Sequence, residues 1–326
     1  MPEKGRRAYV TLCANADFLP GARCLARSLA RTASPWPLVC IVPAELEAVA
    51  RIELGKERLE ILPIQPLALS PQFVARHANG AIESVTPMAR GSKPVFHSRL
   101  LNFLKLRAWE FIEFEKIVFL DADTVVIRNI DCLFEYPGFS AAPNLYESLV
   151  DFHRINSGVM VLEPCRQTFS KMLSKLDAPG AYWPRTDQTF LESFFKRNDM
   201  PPLGLPYYFN TLQYLWFNLP DLWHWPTVHV VHYQFEKPWD ESTFEVSEKS
   251  RIRRRLLAPL VDLWHAADTE SSLKSSLMRD SRTYLKDFRS ELCALRAMDT
   301  SPSPLRPRIA PPSVGRRLNF RSLAAQ

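Results

Sequence analysis

Short apolar runs alternate with longer amphipathic stretches near the start of the chain. The runs at 8–13, 38–42 and 58–64 are rich in Val, Ile, Leu and Tyr, which is typical of buried strands. The stretches between them, at 20–32 and 43–54, have the apolar spacing of helices. This β-α-β-α-β order predicts an α/β fold with a parallel sheet, in which ligands bind at the carboxyl ends of the strands.

The middle of the chain predicts a helix that leads directly into a buried strand. Residues 98–114 have apolar positions at helical spacing. Val118, Phe119 and Leu120 follow without polar alternation, as expected of a central strand buried on both faces. Two further strands are predicted at 158–162 and 228–232, and three further helices at 165–176, 187–197 and 246–266.

Charge and motif content exclude several classes of binding protein. Lys and Arg number 41 against 35 Asp and Glu, but residues 1–7 carry a net charge of +2 and residues 299–326 a net charge of +4. The body at 8–298 is therefore neutral, and without a zinc-finger or RNA-binding signature it predicts no nucleic-acid partner. Neither a GxGxxG turn after the first run nor a GxxxxGK(S/T) loop occurs, which argues against dinucleotide and P-loop binding.

The sequence predicts a cytoplasmic protein. Its six cysteines are scattered, with no CxxC pair and no Cys/His cluster at zinc spacing, which favours a reducing compartment. Residues 1–13 contain no apolar signal segment. The long uncharged stretch 200–220 is broken by prolines and polar amides, so we expect no transmembrane segment.

Composition divides the chain into one folded domain with dissimilar ends. We predict a flexible basic N-terminus at 1–7, a domain at 8–270, a helical extension at 271–298 and a disordered tail at 299–326. The tail combines five prolines with Ser and Arg, a composition that cannot bury enough apolar surface to offset the entropy of ordering.

Asp121, Ala122 and Asp123 form a D-x-D motif at the carboxyl end of the predicted central strand. Carboxylates two residues apart on extended backbone point the same way, so both can face one hard cation. Burial of two like charges is costly without a compensating cation. The motif therefore predicts a divalent-metal site, although two exposed aspartates in a loop would have the same sequence pattern.

A histidine and a lysine near the last predicted strand are candidates for the same site. His229 and His232 lie on opposite faces of a regular strand, so only one of them can face the metal. His232 ends the strand and is the better candidate, and Lys237 is available to contact phosphate oxygens. A lone histidine is more often an ordinary core or surface residue, so this assignment depends on its context.

Five segments in a fixed order resemble glycosyltransferase family 8, the retaining enzymes that include glycogenin and plant galactinol synthase. They are RAYVTLCANADF at 7–18, KLRAWEF at 105–111, FLDADTVVIRNIDCLF at 119–134, INSGVMVLEP at 155–164 with TDQTFL at 186–191, and VHYQFEKPW at 231–239. The resemblance covers 8–239 and rests on the order of the five segments rather than on any one of them. It implies a single-domain GT-A fold at 8–270, with a Rossmann-like, mixed but mostly parallel sheet flanked by helices.

The resemblance also implies a reaction and a cofactor. The family moves a hexose from a UDP-sugar to a hydroxyl acceptor with retention at the anomeric carbon, usually with manganese. By position, Asp121 and Asp123 match the metal aspartates and His232 the third protein ligand. Imidazole is a softer donor than oxygen, so this mixed ligand set suits Mn²⁺ better than Mg²⁺.

The remaining matches imply a donor site for the UDP-sugar. Positions that bind the uridine or lie between the aspartates are Leu12, Ala14, Asn15, Phe18 and Ala122; positions beside the phosphates or the sugar are Lys105, Asn156, Ser157, Asp187, Gln188 and Lys237. We expect Lys237 to stabilise the departing diphosphate, and Asp187 and Gln188 to stabilise an oxocarbenium-like anomeric carbon, so these three are the candidate catalytic residues. Without the resemblance, 156–158 would be read as a turn and 187–188 as a helix start.

Two departures from glycogenin bear on the acceptor and the phosphate loop. Phe217 falls at the position of the self-glucosylated tyrosine and has no hydroxyl, so we expect no self-priming. The glycine before KPW is missing, with Phe235 nearby, so we expect the diphosphate loop to close differently. Other segments are more similar to galactinol synthase, which passes galactose to myo-inositol. The sequence thus mildly favours UDP-galactose over UDP-glucose, with a small polyol or sugar as acceptor.

Two other functions are compatible with parts of the sequence. IVFLDADTVV resembles the first motif of haloacid-dehalogenase-type phosphatases, but the downstream acidic pair of that family is missing. A sugar-nucleotide-binding protein without turnover is the second alternative, and the presence of all three metal-ligand positions argues against it. A homodimer is compatible with the sequence, which does not specify the oligomeric state.

Overall fold

Two sheets of unequal size form the frame of the molecule. The computed structural model describes residues 5–78, 99–145, 148–184, 186–197, 203–269, 273 and 277–300. The strands are β1 Arg7–Leu12, β2 Leu38–Pro43, β3 Glu60–Ile64, β4 Lys116–Leu120, β5 Thr124–Val126, β6 Ser140–Pro143, β7 Ile155–Leu162, β8 Leu203–Gly204, β9 Thr211–Leu212 and β10 Val230–His232. The larger sheet has the order β3-β2-β1-β4-β7-β6-β8, and the smaller has the order β5-β10-β9.

Helices connect the strands and flank the larger sheet. The α-helices are α1 Leu19–Ala30, α2 Glu47–Leu54, α3 Pro71–Ala78, α4 Arg99–Asn102, α5 Arg166–Leu176, α6 Thr186–Arg197, α7 Leu215–Asn218, α8 Glu248–Leu256, α9 Ala258–Asp268, α10 Ser281–Leu285 and α11 Arg289–Thr300. Strands β3, β2, β1 and β4 pair in parallel, whereas β7 runs antiparallel to β4 and β6. The predicted α/β class, with a mixed and mostly parallel sheet, is confirmed.

The apolar runs of the sequence form the central strands. Residues 8–12 of β1 and 117–120 of β4 are all buried, and these two strands pair in parallel, with Val10 opposite Phe119. Burial on both faces explains why these runs lack the polar alternation of a half-exposed strand. The centre of the sheet is thus a rigid support for the residues that follow β4.

Two predicted helices differ from the structure. The segment 98–114 forms α4 and then a 3-10 helix at Phe103–Glu110, of which six of eight residues are buried. Because burial is not confined to one stripe, this segment lacks the solvent face of an amphipathic α-helix. The predicted helix 246–266 is divided into α8 and α9 at Leu257, since Pro259 has no backbone N–H to continue the hydrogen-bond ladder.

The two sheets meet where the acidic motif leaves the larger one. The backbone N–H of Asp121 donates to the Gly158 carbonyl of β7 at 2.8 Å, and the Asp123 carbonyl accepts from Tyr233 at 2.9 Å. Strand β10 pairs antiparallel with β5, with His232 opposite Thr124. These backbone bonds bring three distant parts of the chain to one point.

Parts of the predicted domain division fall outside the described residues. This holds for 1–4 of the predicted flexible N-terminus and for 301–326 of the predicted tail. Helices α10 and α11 lie within the predicted helical extension at 271–298 or run just past its end. Among the helices of the described ranges, none has both the length and the apolar character required to cross a bilayer.

Candidate active site

Three side chains converge at the junction of the two sheets. Asp121, Asp123 and His232 each offer one ligand atom, and these atoms lie within 4.8 Å of one another. Nε2 of His232 is 3.2 Å from Oδ1 of Asp123 and 3.9 Å from Oδ2 of Asp121. His229 instead packs against Phe209, with ring centroids 4.7 Å apart. Two carboxylates and one imidazole nitrogen are a suitable ligand set for Mn²⁺.

Two buried lysines contact these carboxylates. Nζ of Lys105 is 2.7 Å from Oδ1 of Asp121 and 3.2 Å from Oδ2 of Asp187, and Nζ of Lys237 contacts Oδ2 of Asp123. Burial by itself lowers the pKa of Lys105, but the charges of Asp121 and Asp187 outweigh it and raise this pKa above the usual value. Lys105 therefore remains a cation throughout the physiological range.

The two aspartates of the D-x-D motif differ in their electrostatics. Burial favours the neutral form of Asp123, but the charge of Lys237 opposes it and holds the pKa of Asp123 well below the usual range. Burial dominates at Asp121 and raises its pKa, with Lys105 opposing this effect and the negative Asp123 adding to it. A divalent cation between the two aspartates would favour the ionised form of both.

Asp187 belongs to the same cluster, although it lies on α6. Its Oδ1 accepts from the Thr186 hydroxyl at 2.8 Å and its Oδ2 accepts from the Ser157 hydroxyl at 2.7 Å. Gln188 follows as a half-buried residue in the first turn of the same helix. Ser157 lies within β7, so the alternative in which 156–158 are only a turn does not hold. Strand β7 thus holds the Asp187 carboxylate beside Lys105.

Asparagine side chains connect β7 to His232. Nδ1 of His232 lies 2.9 Å from Oδ1 of Asn210, whose Nδ2 donates to Oδ1 of Asn156 at 2.8 Å. Nδ2 of Asn156 donates in turn to Oδ1 of Asn144 at 3.1 Å. The sequence did not predict three further residues of this region, Asn144, Asn210 and Thr186. The two asparagines have partners that are remote in sequence, and the contact made by Thr186 depends on its own backbone conformation.

The predicted uridine positions form a second group, at the end of β1. Leu12 ends the strand, Ala14 packs partly buried against the core, and Oδ1 of Asn15 caps a 3-10 helix that contains Phe18. Nζ of Lys237 lies 5.6 Å from the centroid of the Phe18 ring, within cation–π range. The two groups therefore meet at Lys237.

Trp239 ties this first loop to the segment after β10. Its Nε1 donates to the Asp17 carbonyl at 2.9 Å, and its ring centroid is 6.2 Å from that of Phe18. A Cβ added at Gly21 would lie 2.6 Å from the Ala122 carbonyl oxygen and 2.9 Å from Cη2 of Trp239. Glycine thus allows α1 to approach the D-x-D motif and the KPW segment closely.

Phe217 and Phe235, the two phenylalanines that bear on the departures from glycogenin, are both core residues. Phe217 is 1% exposed, and Phe235 stacks on Tyr214 with centroids 4.5 Å apart. Next to it, fully buried Glu236 accepts from the Tyr214 hydroxyl and from Nη1 of Arg253, at 3.3 Å for the arginine. Burial, its largest influence, raises the pKa of Glu236 despite Arg253. This core anchor holds the loop that leads into Lys237.

Solved structures define the fold class. The glycosyltransferase GlyE of Streptococcus pneumoniae TIGR4 is 19% identical, with a TM-score of 0.52 over 88% of this chain and 64% of that chain. The galactosyltransferase LgtC, solved with donor and acceptor sugar analogs, is 14% identical, with a TM-score of 0.50 over 82% of this chain and 97% of that chain. The fold is that of the single-domain GT-A glycosyltransferases.

Sequence relatives define the family. The profile of Glycosyl transferase family 8 matches residues 9–243. Galactinol synthase 1 of Solanum lycopersicum is 28% identical over 80% of this chain and 81% of its own length, and galactinol synthase 4 of Arabidopsis thaliana is 27% identical over 85% and 86%. UDP-glucuronate:xylan alpha-glucuronosyltransferase 1 of Arabidopsis thaliana is 29% identical over 72% and 32%.

The chain belongs to glycosyltransferase family 8 and is a retaining glycosyltransferase. The resemblance noted in its five sequence segments is thereby confirmed. The phosphatase alternative loses its support, because the D-x-D motif lies inside the part of the chain that the family profile matches.

Proposed function

We propose that this protein transfers a hexose from a UDP-sugar to a hydroxyl of a small polyol or sugar, with a divalent cation held by Asp121, Asp123 and His232. The observation that carries the proposal is the approach of these three ligand atoms to within 4.8 Å of one another. Mn²⁺ suits their oxygen and nitrogen atoms. When bound, the cation supplies positive charge that stabilises a departing diphosphate.

The charge of the cluster supports a dianionic donor. Three carboxylates and two ammonium groups give one net negative charge when His232 has the neutral form that ligates metals. A divalent cation changes this to one net positive charge, which attracts a UDP-sugar. Lys237 lies between the acidic cluster and Phe18, so we assign it to the phosphates.

The sugar end of the donor site is assigned to β7 and α6. Asp187 is 3% exposed and oriented by Ser157 and Thr186, so its carboxylate has a defined direction. Positive charge that develops at the anomeric carbon is stabilised by such a carboxylate and by the neighbouring amide of Gln188. Asn156 and Ser157 are assigned to the same end.

The uridine end is assigned to the loop after β1. Leu12, Ala14, Asn15 and Phe18 surround the end of a central strand, where ligands bind in open α/β sheets. Phe18 offers a face for uracil, and the contact between Trp239 and Asp17 holds this loop against the phosphate-binding segment. Ala122, whose carbonyl oxygen faces Gly21 of α1, is assigned to the donor site as well.

The relatives favour a particular donor and acceptor. Two proteins whose length the chain nearly spans are named galactinol synthases. We therefore propose UDP-galactose as donor and myo-inositol as the first acceptor to test.

All six cysteines are free, which supports a reducing, cytoplasmic location.

A transfer assay tests this function. Purified protein with Mn²⁺ is given UDP-galactose or UDP-glucose, with and without myo-inositol, and UDP release and the sugar product are measured. We expect UDP-galactose to support transfer, chelation of the metal to stop it, and Asp123→Ala to lower turnover by at least about 100-fold. Asp287→Ala, in the C-terminal extension, is the matched control and keeps wild-type turnover. Binding of UDP-galactose without hydrolysis or transfer to a broad acceptor panel would contradict the proposal.

A further inference from the structure

The direction of hydrogen bonds around His232 can be traced from one backbone group. The N–H of Gly158 lies 2.9 Å from Oδ1 of Asn156. A backbone N–H can only donate, so the Asn156 atom that faces it is the oxygen. This fixes the orientation of the Asn156 amide, whose Nδ2 then donates to Asn144.

The same oxygen orients the next amide. The atom of Asn210 that lies 2.8 Å from Oδ1 of Asn156 must be its Nδ2 donor. The oxygen of Asn210 therefore faces Nδ1 of His232, at 2.9 Å. Because an amide oxygen can only accept, Nδ1 carries the hydrogen, and the lone pair of a neutral imidazole lies on Nε2.

That lone pair is directed at the carboxylate cluster. Nε2 of His232 lies 3.2 Å from the nearer oxygen of Asp123, on the side where Asp121 also lies. A lone pair facing carboxylate oxygens is unfavourable by itself and is relieved by a cation between them. A metal ligand needs this tautomer, since a nitrogen that carries a hydrogen has no lone pair to offer.

Packing keeps the imidazole ring in this position. A Cβ added at Gly158 would lie 2.2 Å from Cε1 and 2.4 Å from Nδ1 of His232, so the ring packs directly on the β7 backbone. Asn210 is 1% exposed and His232 is 3% exposed. Water therefore cannot easily replace the bond between them, and loss of the amide would leave a buried polar atom without compensation.

We propose that Asn210 is a positioning residue that keeps the hydrogen of His232 on Nδ1 and so presents Nε2 to the metal site. The inference rests on the proposed function only for the identity of the ion. The N–H of Gly158 fixes the orientation of the Asn156 amide, and that amide fixes the orientation of Asn210. The oxygen of Asn210 then accepts from Nδ1 of the imidazole. A strand assigned to the donor sugar is thereby linked to a metal ligand on the smaller sheet.

The test compares three variants along this series of hydrogen bonds. Asn210→Leu has nearly the same size and removes both the acceptor for Nδ1 and the donor to Asn156. Asn210→Asp also loses the donor to Asn156 but keeps an oxygen beside Nδ1, and its charge further favours the hydrogen on Nδ1. Asn144→Leu removes the outer end of the chain but leaves the bonds from Gly158 to His232 in place.

Two measurements report on the proposal separately. Nitrogen-15 NMR of the imidazole, assigned by the loss of its signals in His232→Gln, reports which nitrogen carries the hydrogen in protein without added metal. Calorimetric titration with Mn²⁺ then gives the affinity. We expect the Nδ1–H form in wild type, Asn144→Leu and Asn210→Asp. For Asn210→Leu we expect an increase of the Nε2–H form and an affinity lowered by about 10-fold to 100-fold.

Each outcome decides the proposal. An Nε2–H imidazole in wild type, or an unchanged Nδ1–H signal with unchanged Mn²⁺ affinity in Asn210→Leu, would overturn it. If Asn210→Leu shifts the hydrogen but no variant, wild type included, binds Mn²⁺, the role of Asn210 stands and the metal in the proposed function is wrong. Should Asn210→Leu fail to fold, Asn210→Ser, too short to reach His232, takes its place in both measurements.

Discussion

Thr186 has a left-handed backbone conformation, with φ of 53°, directly before Asp187. A β-branched residue in this region costs about 1 to 3 kcal/mol, and such strain is common where a side chain must be held in one place. The gain is a hydroxyl that donates to Oδ1 of Asp187 at 2.8 Å. The strained backbone of Thr186 thus goes together with the hydroxyl contact that orients the candidate catalytic carboxylate.

Substitution at Thr186 separates these two effects. Thr186→Gly relieves the strain but removes the hydroxyl, so we expect stability within about 1 kcal/mol of wild type or above it, with turnover lowered by about 10-fold to 100-fold. Thr186→Ser keeps the hydroxyl and most of the turnover. Urea unfolding and kcat measure the two quantities. Equal turnover in the glycine and serine variants would show that the hydroxyl does not orient Asp187.

Lys105 predicts a pH dependence of stability at the alkaline end. Its pKa is raised in the folded protein by Asp121 and Asp187, so its contribution is complete below the usual lysine pKa of about 10.4 and is lost as pH rises through the folded value. The difference in unfolding free energy between wild type and Lys105→Met should therefore be constant from pH 7 to 9 and become smaller by pH 11. A difference that grows with pH would contradict this sign.

The candidate site was only partly predictable at this scale. Asp121, Asp123 and His232 could be predicted because the aspartates closely follow an apolar strand and the histidine ends one, positions that are visible in the sequence. Asn210 could not, because its role arises from partners 22 and 54 residues away. Neither could Thr186, since a positive φ in a threonine leaves no mark on hydrophobic periodicity.

Among the elements, α8 supports the active site from within the core. Its Arg253 and the Glu236 before Lys237 are both fully buried and paired at 3.3 Å. The pair joins the loop after β10 to a helix that carries no predicted site residue. Removal of one partner leaves a buried charge uncompensated, which is far more costly than the pair itself is stabilising.

Arg253→Met is accordingly expected to lower the unfolding free energy by about 3 to 5 kcal/mol. The double variant Glu236→Leu/Arg253→Met should recover part of this loss, because no buried charge remains. Arg51→Ala breaks an exposed pair with Glu47 and is the matched control, with an expected change within about 0.5 kcal/mol. Urea unfolding measures all three. A loss in Arg253→Met no larger than in this control would mean that the buried pair does not anchor the loop.

The elements themselves show where hydrophobic spacing is informative. Hydrophobic spacing predicted β1, β2 and α1 because each of these elements keeps one regular pattern of burial along its length. It was wrong at 98–114, most of which is a 3-10 helix with six of its eight residues buried, and at 246–266, where Pro259 divides the segment. Hydrophobic spacing shows which residues are apolar, but it does not show how much of an element's surface is buried in the fold.

At the scale of the whole molecule, the α/β class followed from the alternation of strands and helices, but the strand order did not. Strand β7 enters antiparallel between β4 and β6, with Val159 opposite Leu120, and a separate small sheet carries His232. The pairing of β7 with β4 and that of β10 with β5 join segments far apart in the chain, and the sequence of a short strand does not specify such partners. These two features nevertheless create the site, since they bring Gly158 and His232 to the D-x-D motif.

The central claim is that Asp121, Asp123 and His232 hold one cation, and Mn²⁺ titration of the purified protein with UDP present tests it most directly. We expect one Mn²⁺ per chain in wild type. In Asp123→Asn we expect an affinity lowered by at least about 100-fold, because even substitutions outside the ligand set cost 10-fold to 100-fold. An Asp123→Asn protein that binds one Mn²⁺ per chain with wild-type affinity would contradict the account.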